Sequence, residues 1–424
     1  HLKNWSQGEW TSSPCDELHG FSIDSRNIST GDVFVAIRAA RDGHEFVKSA
    51  MENGASAALV EDAVPSLGLA QLQVENSPRA FLDIARGHRD NFPHPVVAIT
   101  GSCGKTSTKE AMGRLLNSPL TTLGNLNNHL GVPLTLLRLD AAIHQSAVIE
   151  VGINHRGEMA ALANCIAPDL VVITMIGQSH LAGLGGIEGV AEEKSVLWRD
   201  SKAKAIFPES CLQYDAFGKL IHAGKPHLVV RKGIDANYSE PNSAYFEFWT
   251  ETNKQEGSGV LKIWHPESSE LEFVIPAMSE GMASNMALSV LASLELGISV
   301  NQISERLPQY RPSGLRGSCL VGRGCSYVVD CYNANPASML DSIRFFHSQF
   351  PDSPRLLVLG GMKELGEASE LLHKNTGTQI SMQPSDQAII IGEDARPMAL
   401  GMIENGGVAE NITVLPEPEL ARPL

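Results

Sequence analysis

The 424-residue chain has no apolar run of the roughly 18 residues that a membrane-spanning helix needs, and its longest such run lies near residues 169–177. Residues 1–30 show no apolar segment typical of a secretory signal. Basic residues are few, because 33 Lys and Arg stand against 48 Asp and Glu and the formal net charge is −15. This balance argues against a nucleic-acid partner. We therefore expect a cytoplasmic protein without a membrane span whose partners are small molecules.

Cysteine is also scarce, with seven residues and no CxxC pair. An odd number without paired spacing fits a reducing compartment better than a disulfide framework. No repeat of fixed period and no low-complexity tract is present. The length exceeds the roughly 250–300 residues at which a single core stops growing, which predicts two or three domains. A composition of 43% hydrophobic and 19% charged residues is typical of globular proteins.

The most informative segment present is residues 95–116, PVVAITGSCGKTSTKEAMGRLL. Its first apolar run, 96–99, is typical of a strand buried on both faces, and apolar residues recur at helical spacing from 106 to 116. Between them lies a glycine turn that we interpret as a nucleotide phosphate loop. Its candidate ATP-binding residues are Gly101, Ser102, Cys103, Gly104, Lys105, Thr106 and Ser107.

Each residue type in this loop suits a phosphate. Glycines let backbone N–H groups point inward, and the helix N-terminus adds positive potential. Lys105 can reach the outer phosphates, and the Thr106 hydroxyl can bind Mg²⁺. The usual P-loop pattern has a glycine where this chain has Ile99, so an ordinary glycine-rich turn is the alternative. For Cys103, a reactive thiol and a small tolerated side chain are both consistent with the sequence.

Changes of pattern along the chain predict an α/β fold with three domains, at residues 1–75, 76–312 and 313–424. Short strand-like runs at 32–37 and 56–62 predict a small first α/β unit. From residue 95, apolar runs alternate with helical segments, which is typical of a doubly wound parallel sheet.

Two later stretches differ from this alternation. Period-two runs between 226 and 276 predict an antiparallel flap or subsheet. After a long helix at 284–297 and a turn-rich linker at 307–318, apolar runs at 327–330, 355–361, 387–393 and 411–415 predict buried strands of a third α/β domain.

Three side chains, each at the end of a predicted central strand or further along the chain, stand in an order that suits phosphoryl transfer. Glu150 ends one strand and His180 follows the next, and the carboxyl ends of parallel strands meet at the edge where ligands bind. A solvated carboxylate and a histidine in an ordinary polar contact are the alternatives. Lys194 lies on a predicted helix behind two glutamates, where a surface lysine is the simpler interpretation.

Four stretches, at residues 98–110, 124–139, 330–339 and 359–373, resemble the Mur ligases. Residues 149–159 and 177–194 fit between them in family order, and 23–37 with 42–46 resemble the uridine-nucleotide domain. The resemblance covers nearly the whole chain. It implies a three-domain architecture with a small N-terminal α/β domain, a central P-loop ATPase-like parallel sheet and a C-terminal Rossmann-like domain, which we expect to be truncated.

The resemblance also implies roles for individual residues. Lys105, Glu150, His180 and Lys194 would be catalytic, with two Mg²⁺ ions held by Thr106, Glu150, His180 and Lys194, the last as a carbamylated lysine. Asn285, Arg316 and Asp330 would join the loop residues in binding ATP. The substrate-binding candidates are Ser25, Arg26, Asn127, Asn128, Tyr332, Asn333 and Asn335.

The implied reaction is the ATP-dependent joining of D-alanyl-D-alanine to UDP-N-acetylmuramoyl-tripeptide through an acyl phosphate, by a monomer. Another ligase of the same superfamily, which adds an amino acid to a muramoyl peptide or glutamate to folate, is the first alternative. A nucleotide-binding relative that has lost turnover is the second. It is favoured by departures from the family pattern at Met175, Ala182, Gly281, Val329 and Gly361. A transport ATPase or kinase does not explain residues 23–37.

Overall fold

The first region of the fold is a small five-stranded sheet in the order β1-β5-β4-β3-β2. The computed structural model describes residues 1–15, 17–233, 240–250, 257–265, 270–322 and 324–421. The inner strand β4 is buried along its whole length, which explains its purely apolar sequence. The elements are α1 (Leu2–Ser6), β1 (Glu9–Trp10), β2 (Gly20–Ser22), β3 (Asp32–Val35), a 3₁₀ helix (Gly43–Phe46), α2 (Val47–Glu52), β4 (Ala57–Val60) and β5 (Ala70–Gln73).

Helix α3 (Ser77–Arg89) connects this region to the next. Asn76 caps it by accepting a hydrogen bond from the backbone N–H of Arg79 at 2.8 Å. Phe81 packs into the core of the first sheet, whereas Leu82 packs into the core of the second region. Because α3 contributes to both cores, the boundary at 75/76 stays a prediction, as does the boundary at 312/313.

The central sheet has nine strands in the order β14-β13-β12-β11-β10-β9-β6-β8-β7. Its strands are β6 (Val96–Thr100), β7 (Pro119–Thr121), β8 (Ser146–Glu150), β9 (Leu170–Ile173), β10 (Lys204–Pro208), β11 (His227–Lys232), β12 (Ser243–Thr250), β13 (Ser258–Trp264) and β14 (Glu270–Pro276). Neighbouring strands in this sheet pair in parallel all the way from β7 at one edge to β12. Strand β6 lies between β8 and β9, so strand order reverses there and a crevice opens at its carboxyl end.

Helices cover both faces of the central sheet. Val96 and Ala98 of β6 belong to one core, and Val97 and Ile99 belong to the core on the opposite face, as the alternation of side chains along a strand requires. The helices are α4 (Lys105–Leu115), α5 (Gly131–Leu136), α6 (Glu158–Ile166), α7 (Leu181–Leu184), α8 (Ile187–Arg199), α9 (Asp215–His222), α10 (Glu280–Glu295) and α11 (Val300–Arg306), with 3₁₀ turns at Glu209–Gln213 and Leu307–Gln309.

The period-two segment between 226 and 276 does not form a separate flap or subsheet. Strands β11 and β12 continue the parallel sheet, and only β13 and β14 pair antiparallel. An alternation of apolar and polar residues indicates a strand with one buried face. Here Leu261, Ile263 and Phe273 bury that face in the core beneath α10. The prediction of alternating strands is confirmed, and the prediction of a separate subsheet is wrong.

The third region contains a parallel sheet, β17-β18-β19, and a two-stranded antiparallel ribbon, β15-β16. Its elements are β15 (Ser318–Gly322), β16 (Cys325–Val329), α12 (Pro336–Gln349), β17 (Leu356–Gly360), α13 (Ser369–Gly377), β18 (Gln387–Ile391), α14 (Arg396–Glu404) and β19 (Ile412–Leu415), with 3₁₀ turns at Gly366–Ala368, Glu393–Ala395, Ala409–Asn411 and Pro418–Ala421. The α/β class is confirmed in all three regions.

One predicted strand of the third region differs from expectation. The run at 327–330 was expected to lie in a buried strand, but β16 is largely exposed and pairs with β15 in the ribbon. A short apolar run indicates extended structure without specifying what covers it, so sequence alone could not distinguish the two arrangements. Among the residues described, no helix has the length and apolar character required to cross a membrane.

Candidate functional site

The glycine turn after β6 has the geometry expected of a phosphate loop. Gly101 has φ 148° and Gly104 has φ 84°, both in the region that favours glycine. A Cβ on Gly101 would lie 2.0 Å from the Thr174 hydroxyl oxygen, so no larger residue fits there. Gly104 immediately precedes α4, whose first residue is Lys105. The turn therefore directs the N-terminus of a helix into the crevice beside β6.

Lys105 lies over this loop. Its ammonium group donates a hydrogen bond to the carbonyl oxygen of Gly101 at 2.8 Å. Burial lowers the pKa of Lys105, while Glu150 opposes that shift and Arg316 adds to it. A partly desolvated cation beside a glycine turn at a helix N-terminus is suited to binding a polyphosphate.

Glu150, at the end of β8, is the buried carboxylate of the crevice, with 2% of its surface exposed. The Thr106 hydroxyl lies 3.0 Å from its Oε2, and the Asn127 side-chain amide donates to its Oε1 at 2.9 Å. Lys109 forms a buried ion pair with Glu150 at 3.4 Å. Two donors from α4 and one from the segment that carries Asn127 thus hold one carboxylate beside the phosphate loop.

The sequence interpretation missed Lys109. Its ammonium group also donates to the Gly124 carbonyl oxygen at 3.2 Å, which ties α4 to the segment that carries Asn127. A signal was available, because Lys109 lies four residues after Lys105 and three after Thr106, on the same face of α4. That spacing does not reveal which residue pairs with it, since Glu150 lies on another strand.

Lys194 is not the surface residue that its sequence context suggested. It lies on α8 with 1% of its surface exposed, and no hydrogen bond or ion pair joins its ammonium group to another of the described side chains. Burial, reinforced by the nearby charge of Lys105, lowers its pKa well below the usual value. Burial therefore favours the neutral amine over the ammonium form at this position.

His180 stands just before α7 and faces the third region. Its Nδ1 pairs with the carboxylate of Glu364, which lies between β17 and the following 3₁₀ turn. Burial lowers the pKa of His180, and Lys194 and Lys105 act in the same direction while Glu364 opposes them. A neutral imidazole in this position can bind a metal ion.

Helix α10 borders the loop from the other side. A Cβ on Gly104 would lie 2.5 Å from the amide nitrogen of Asn285, so this predicted adenine-binding residue packs directly on the phosphate loop. Gly281, at the start of the same helix, donates its backbone N–H to the Asp341 carboxylate at 3.1 Å. Helix α10 thus contacts both the loop and α12 of the third region.

The third region contributes an aromatic and charged face to the crevice. The Arg316 guanidinium lies 3.7 Å from the centre of the Tyr332 ring, in a cation–π contact. Burial raises the pKa of Asp330, with Asp341 adding to the shift and a hydrogen bond from Ser342 opposing it. The sequence interpretation assigned Arg316 and Asp330 to ATP and Tyr332 to the substrate, and all three line the cavity.

These segments enclose a cavity of about 860 Å³ between the central sheet and the third region. Such a volume falls within the range typical of small-molecule and cofactor sites. Most predicted site residues line it, namely Ser102, Cys103, Gly104, Lys105, Thr106, Ser107, Asn127, Asn128, Glu150, His180, Asn285, Arg316, Asp330, Tyr332, Asn333 and Asn335. Gly101 and Lys194 are not among the lining residues.

Ser25 and Arg26 lie elsewhere, in the first region between β2 and β3. Arg26 is exposed and forms a bidentate pair with Asp24, at 2.9 and 2.8 Å. The Ser25 carbonyl oxygen accepts a hydrogen bond from Asn53. They are not among the residues that line the cavity, and their predicted role at the uridine end stays a prediction.

Two of the predicted substrate asparagines already accept backbone hydrogen bonds at or just before the start of a helix. Asn128 accepts hydrogen bonds from the backbone N–H groups of Leu130 and Gly131, at 3.1 and 2.9 Å. Asn335 accepts from Ser338 N–H at 2.9 Å and starts α12 in a reciprocal capping box. Their substrate contacts stay predictions, whereas these hydrogen bonds to the backbone are part of the fold.

The Cys103 side chain fits the simpler of its two interpretations. Burial raises the pKa of its thiol, and the nearby Lys105 only partly offsets that effect. A raised pKa leaves little thiolate at neutral pH, which favours the interpretation of Cys103 as a small loop residue.

The donors around Glu150 fit a Mg²⁺ ion that also binds phosphate. Mg²⁺ usually takes one or two carboxylates together with substrate phosphates and water. Glu150 with the Thr106 hydroxyl supplies such a partial set. Among the described residues, no group of three or more His, Cys, Asp and Glu side chains could hold a metal ion. Phosphate oxygens would therefore complete the coordination.

Comparison with known proteins gives consistent results over the whole chain. The family description "Mur ligase middle domain" matches residues 99–293, "Mur ligase, glutamate ligase domain" matches 318–421, and "Mur ligase family, catalytic domain" matches 17–87. The UDP-N-acetylmuramoyl-tripeptide--D-alanyl-D-alanine ligase of Bacillus subtilis is 29% identical over 395 residues, which are 92% of this chain and 83% of that protein.

Solved structures agree in fold. The crystal structure of MurF from Acinetobacter baumannii matches with a TM-score of 0.86 and 30% identity, over 100% of this chain and 90% of that one. MurF ligase from Thermotoga maritima, solved in complex with ADP, matches with a TM-score of 0.76 and 26% identity, over 94% of this chain and 93% of that one. The three-domain expectation is thus confirmed.

Proposed function

This chain belongs to the Mur ligase family, and from that premise we propose that it joins D-alanyl-D-alanine to UDP-N-acetylmuramoyl-tripeptide at the expense of ATP. It is an ADP-forming ligase of peptidoglycan precursor synthesis. The observation that carries the proposal is the meeting, in one cavity, of the phosphate loop, the Glu150 cluster and the Arg316–Tyr332 face. We also propose that it acts in the cytoplasm as a monomer.

The ATP end of the cavity is formed by the loop and by α10. Lys105 and the loop N–H groups would hold the β- and γ-phosphates, and Ser102, Cys103 and Ser107 would border them. Asn285 would contact the adenine, which agrees with its packing on Gly104. Arg316 and Asp330 would hold the ribose and phosphates from the third region.

The metal-binding residues would be Thr106 and Glu150 for a first Mg²⁺ ion, and His180 with Lys194 for a second. When bound, Mg²⁺ neutralises charge on the transferring phosphoryl group. Lys109 and Asn127 hold Glu150 in place through contacts to both carboxylate oxygens. Their donors keep the carboxylate oriented before any ligand arrives.

Lys194 would act as a carbamate. Carbamylation needs a neutral amine that attacks carbon dioxide, and it converts a cation into a carboxylate-like metal ligand. Burial of Lys194 supports this proposal, because it disfavours the ammonium form. The carbamate would lie on the same side of the crevice as His180, whose pKa responds to the Lys194 charge.

The reaction would proceed in two steps. The terminal carboxylate of the tripeptide attacks the γ-phosphorus of ATP. The bond between that phosphorus and the β-phosphate oxygen breaks, ADP departs, and an acyl phosphate of the tripeptide forms. The amine of D-alanyl-D-alanine then attacks the acyl carbon and releases phosphate, with loss of a proton from nitrogen. Asn127 and Asn128 would position the peptide, and Tyr332, Asn333 and Asn335 would close over it from the third region.

The test is phosphate release from ATP and Mg²⁺ with both substrates, repeated with each component omitted, and with the product identified by mass. We expect release only when both substrates are present, with a product heavier by the dipeptide minus water. Lys105→Ala should abolish release, whereas Lys202→Ala, which removes an exposed lysine, should not. ATP binding without turnover would instead support a relative that has lost catalysis.

A further inference from the structure

A single side-chain pair joins the two walls of the cavity beside α7. The Nδ1 of His180, in the central region, pairs with the Glu364 carboxylate, in the third region. The side chain of His180 is 22% exposed and that of Glu364 is 58% exposed, so the contact lies at the cavity mouth. The proposed reaction uses His180 but assigns nothing to Glu364.

Both partners have unusual backbone geometry. His180 has φ 52° and Glu364 has φ 63°, in the left-handed region that non-glycine residues seldom adopt. Such conformations persist where the surroundings enforce them, often at functional sites. The two loops also pack closely, because a Cβ on Gly366 would lie 3.3 Å from the Ala182 Cβ.

The third region holds the Glu364 loop from its own side. The backbone N–H of Met362 donates to Nε2 of the buried His373 at 2.9 Å, and Nδ1 of His373 donates in turn to the Ser369 carbonyl oxygen at 2.7 Å. Lys363 pairs with Asp394 at 2.6 Å. Glu364 therefore projects from an anchored loop and not from a free one.

A carboxylate that pairs with one ring nitrogen of a histidine determines whether the other ring nitrogen can bind a ligand. When Glu364 accepts the proton on Nδ1, the lone pair of Nε2 is left for a ligand, and the ring cannot rotate without breaking the pair. Histidines that bind metals are commonly held by such a carboxylate. The difference here is that the carboxylate comes from another domain.

We propose that Glu364 is a positioning residue that orients His180 only when the third region is closed over the cavity. Domain closure would thereby complete the site for the second cation, so that binding of that cation and closure favour each other. This inference rests on the proposed function for the role of His180, but the cross-domain contact can be tested without turnover.

The experiment compares Glu364→Ala and Glu364→Gln with Glu367→Ala. Glu367 is an exposed carboxylate three residues further along the same loop, with no side-chain partner among the described residues. Hydrogen–deuterium exchange of the full chain is measured with Mg²⁺ and a non-hydrolysable ATP analogue. Glu364→Ala should speed exchange in α7 at 181–184 and in the loop at 362–368, whereas Glu367→Ala should leave α7 unchanged.

The second measurement is the Mg²⁺ concentration that gives half-maximal phosphate release. Glu364→Ala should raise it about 10-fold, as loss of a carboxylate that supports a metal-binding histidine typically does. Glu364→Gln should raise it less, because its amide oxygen still accepts the Nδ1 proton. Equal Mg²⁺ dependence and equal exchange in Glu364→Ala and Glu367→Ala would overturn the proposal.

The two proposals fail in different ways. A parent protein that forms no amide product would refute the proposed function, yet the exchange comparison would still report on the Glu364 contact. A parent protein that makes the product, combined with identical behaviour of all three variants, would refute only the role of Glu364.

Discussion

The hydroxyl oxygen of Thr106 lies 3.0 Å from Oε2 of Glu150 and 3.2 Å from its Oε1. The first residue is on the helix that follows the phosphate loop, and the second ends the neighbouring strand β8. Their contact places side by side two oxygen donors of the kind that Mg²⁺ prefers.

Glu150→Gln removes the charge of this carboxylate and keeps its size. We expect phosphate release to fall at least about 100-fold, because a neutral amide is a poor ligand for a hard cation. ATP hydrolysis and product formation are measured together across a Mg²⁺ titration. Glu75→Gln, which changes an exposed carboxylate in the first region, should match the parent. Undiminished turnover in Glu150→Gln would remove Glu150 from the metal site.

Lys194→Ala should lose most activity and regain part of it when acetate or formate is added. A small carboxylate can occupy the space of the missing side chain and supply the oxygen donors that a carbamate would supply. Rates are measured over a range of carboxylate concentrations at constant ionic strength. Lys105→Ala serves as the matched control and should not be rescued, since a carboxylate cannot replace a cation. Failure to rescue Lys194→Ala would leave the carbamate without support.

Gly104→Ala should weaken both ATP binding and folding. The backbone at φ 84° disfavours any side chain by about 1–2 kcal/mol, and the new Cβ would lie 2.5 Å from the Asn285 amide nitrogen. Gly224→Ala is the control, because its φ of 75° is similar but its Cβ would meet nothing within 4 Å. Calorimetry should show that both variants are destabilised, Gly104→Ala more than Gly224→Ala because of the contact with Asn285, with at least about a 10-fold loss of ATP affinity only in Gly104→Ala. Equal affinities would contradict the proposed packing.

Arg355→Ala should destabilise the third region by about 3–5 kcal/mol, the usual effect of removing one partner from a buried ion pair. Arg355 and Asp386 form this pair at 2.6 Å with side chains 5% and 0% exposed. Lys374→Ala removes one partner of an exposed pair with Glu404, and its effect should stay within about 1 kcal/mol. Thermal and denaturant unfolding measure the difference, and similar losses in both variants would contradict the argument.

The same pair predicts a pH dependence. Burial alone would raise the pKa of Asp386, but hydrogen bonds from Arg355 and from the Gln383 backbone outweigh it and hold the pKa below its usual range. A lowered folded-state pKa contributes stability above the unfolded-state value of about 3.9, and that stability is lost as pH falls through the folded-state pKa. Because Arg355→Ala leaves the burial of Asp386 with less to oppose it, the gap in unfolding free energy between parent and variant should be largest near neutral pH and shrink as the solution becomes acidic.

The local sequence pattern was sufficient to predict much of the fold and of the candidate site. The segment 95–116 encodes strand, glycine turn and helix in one continuous stretch, so its geometry depends on neighbours in sequence. Glu150 and His180 were also predictable, because parallel strands bring their carboxyl ends to one edge. The family resemblance supplied the three-domain plan and most residues that line the cavity. Composition alone would have supplied none of these assignments.

Only the tertiary structure decided the contacts between distant segments. Lys194 looked like a surface residue and is buried, Lys109 pairs with Glu150 from another element, and Glu364 reaches His180 across a domain boundary. Strand β16 was expected to be covered and is largely exposed. The physical reason is common to all four: burial and charge pairing depend on what packs against a residue, and periodicity reports only which face of its own element it occupies.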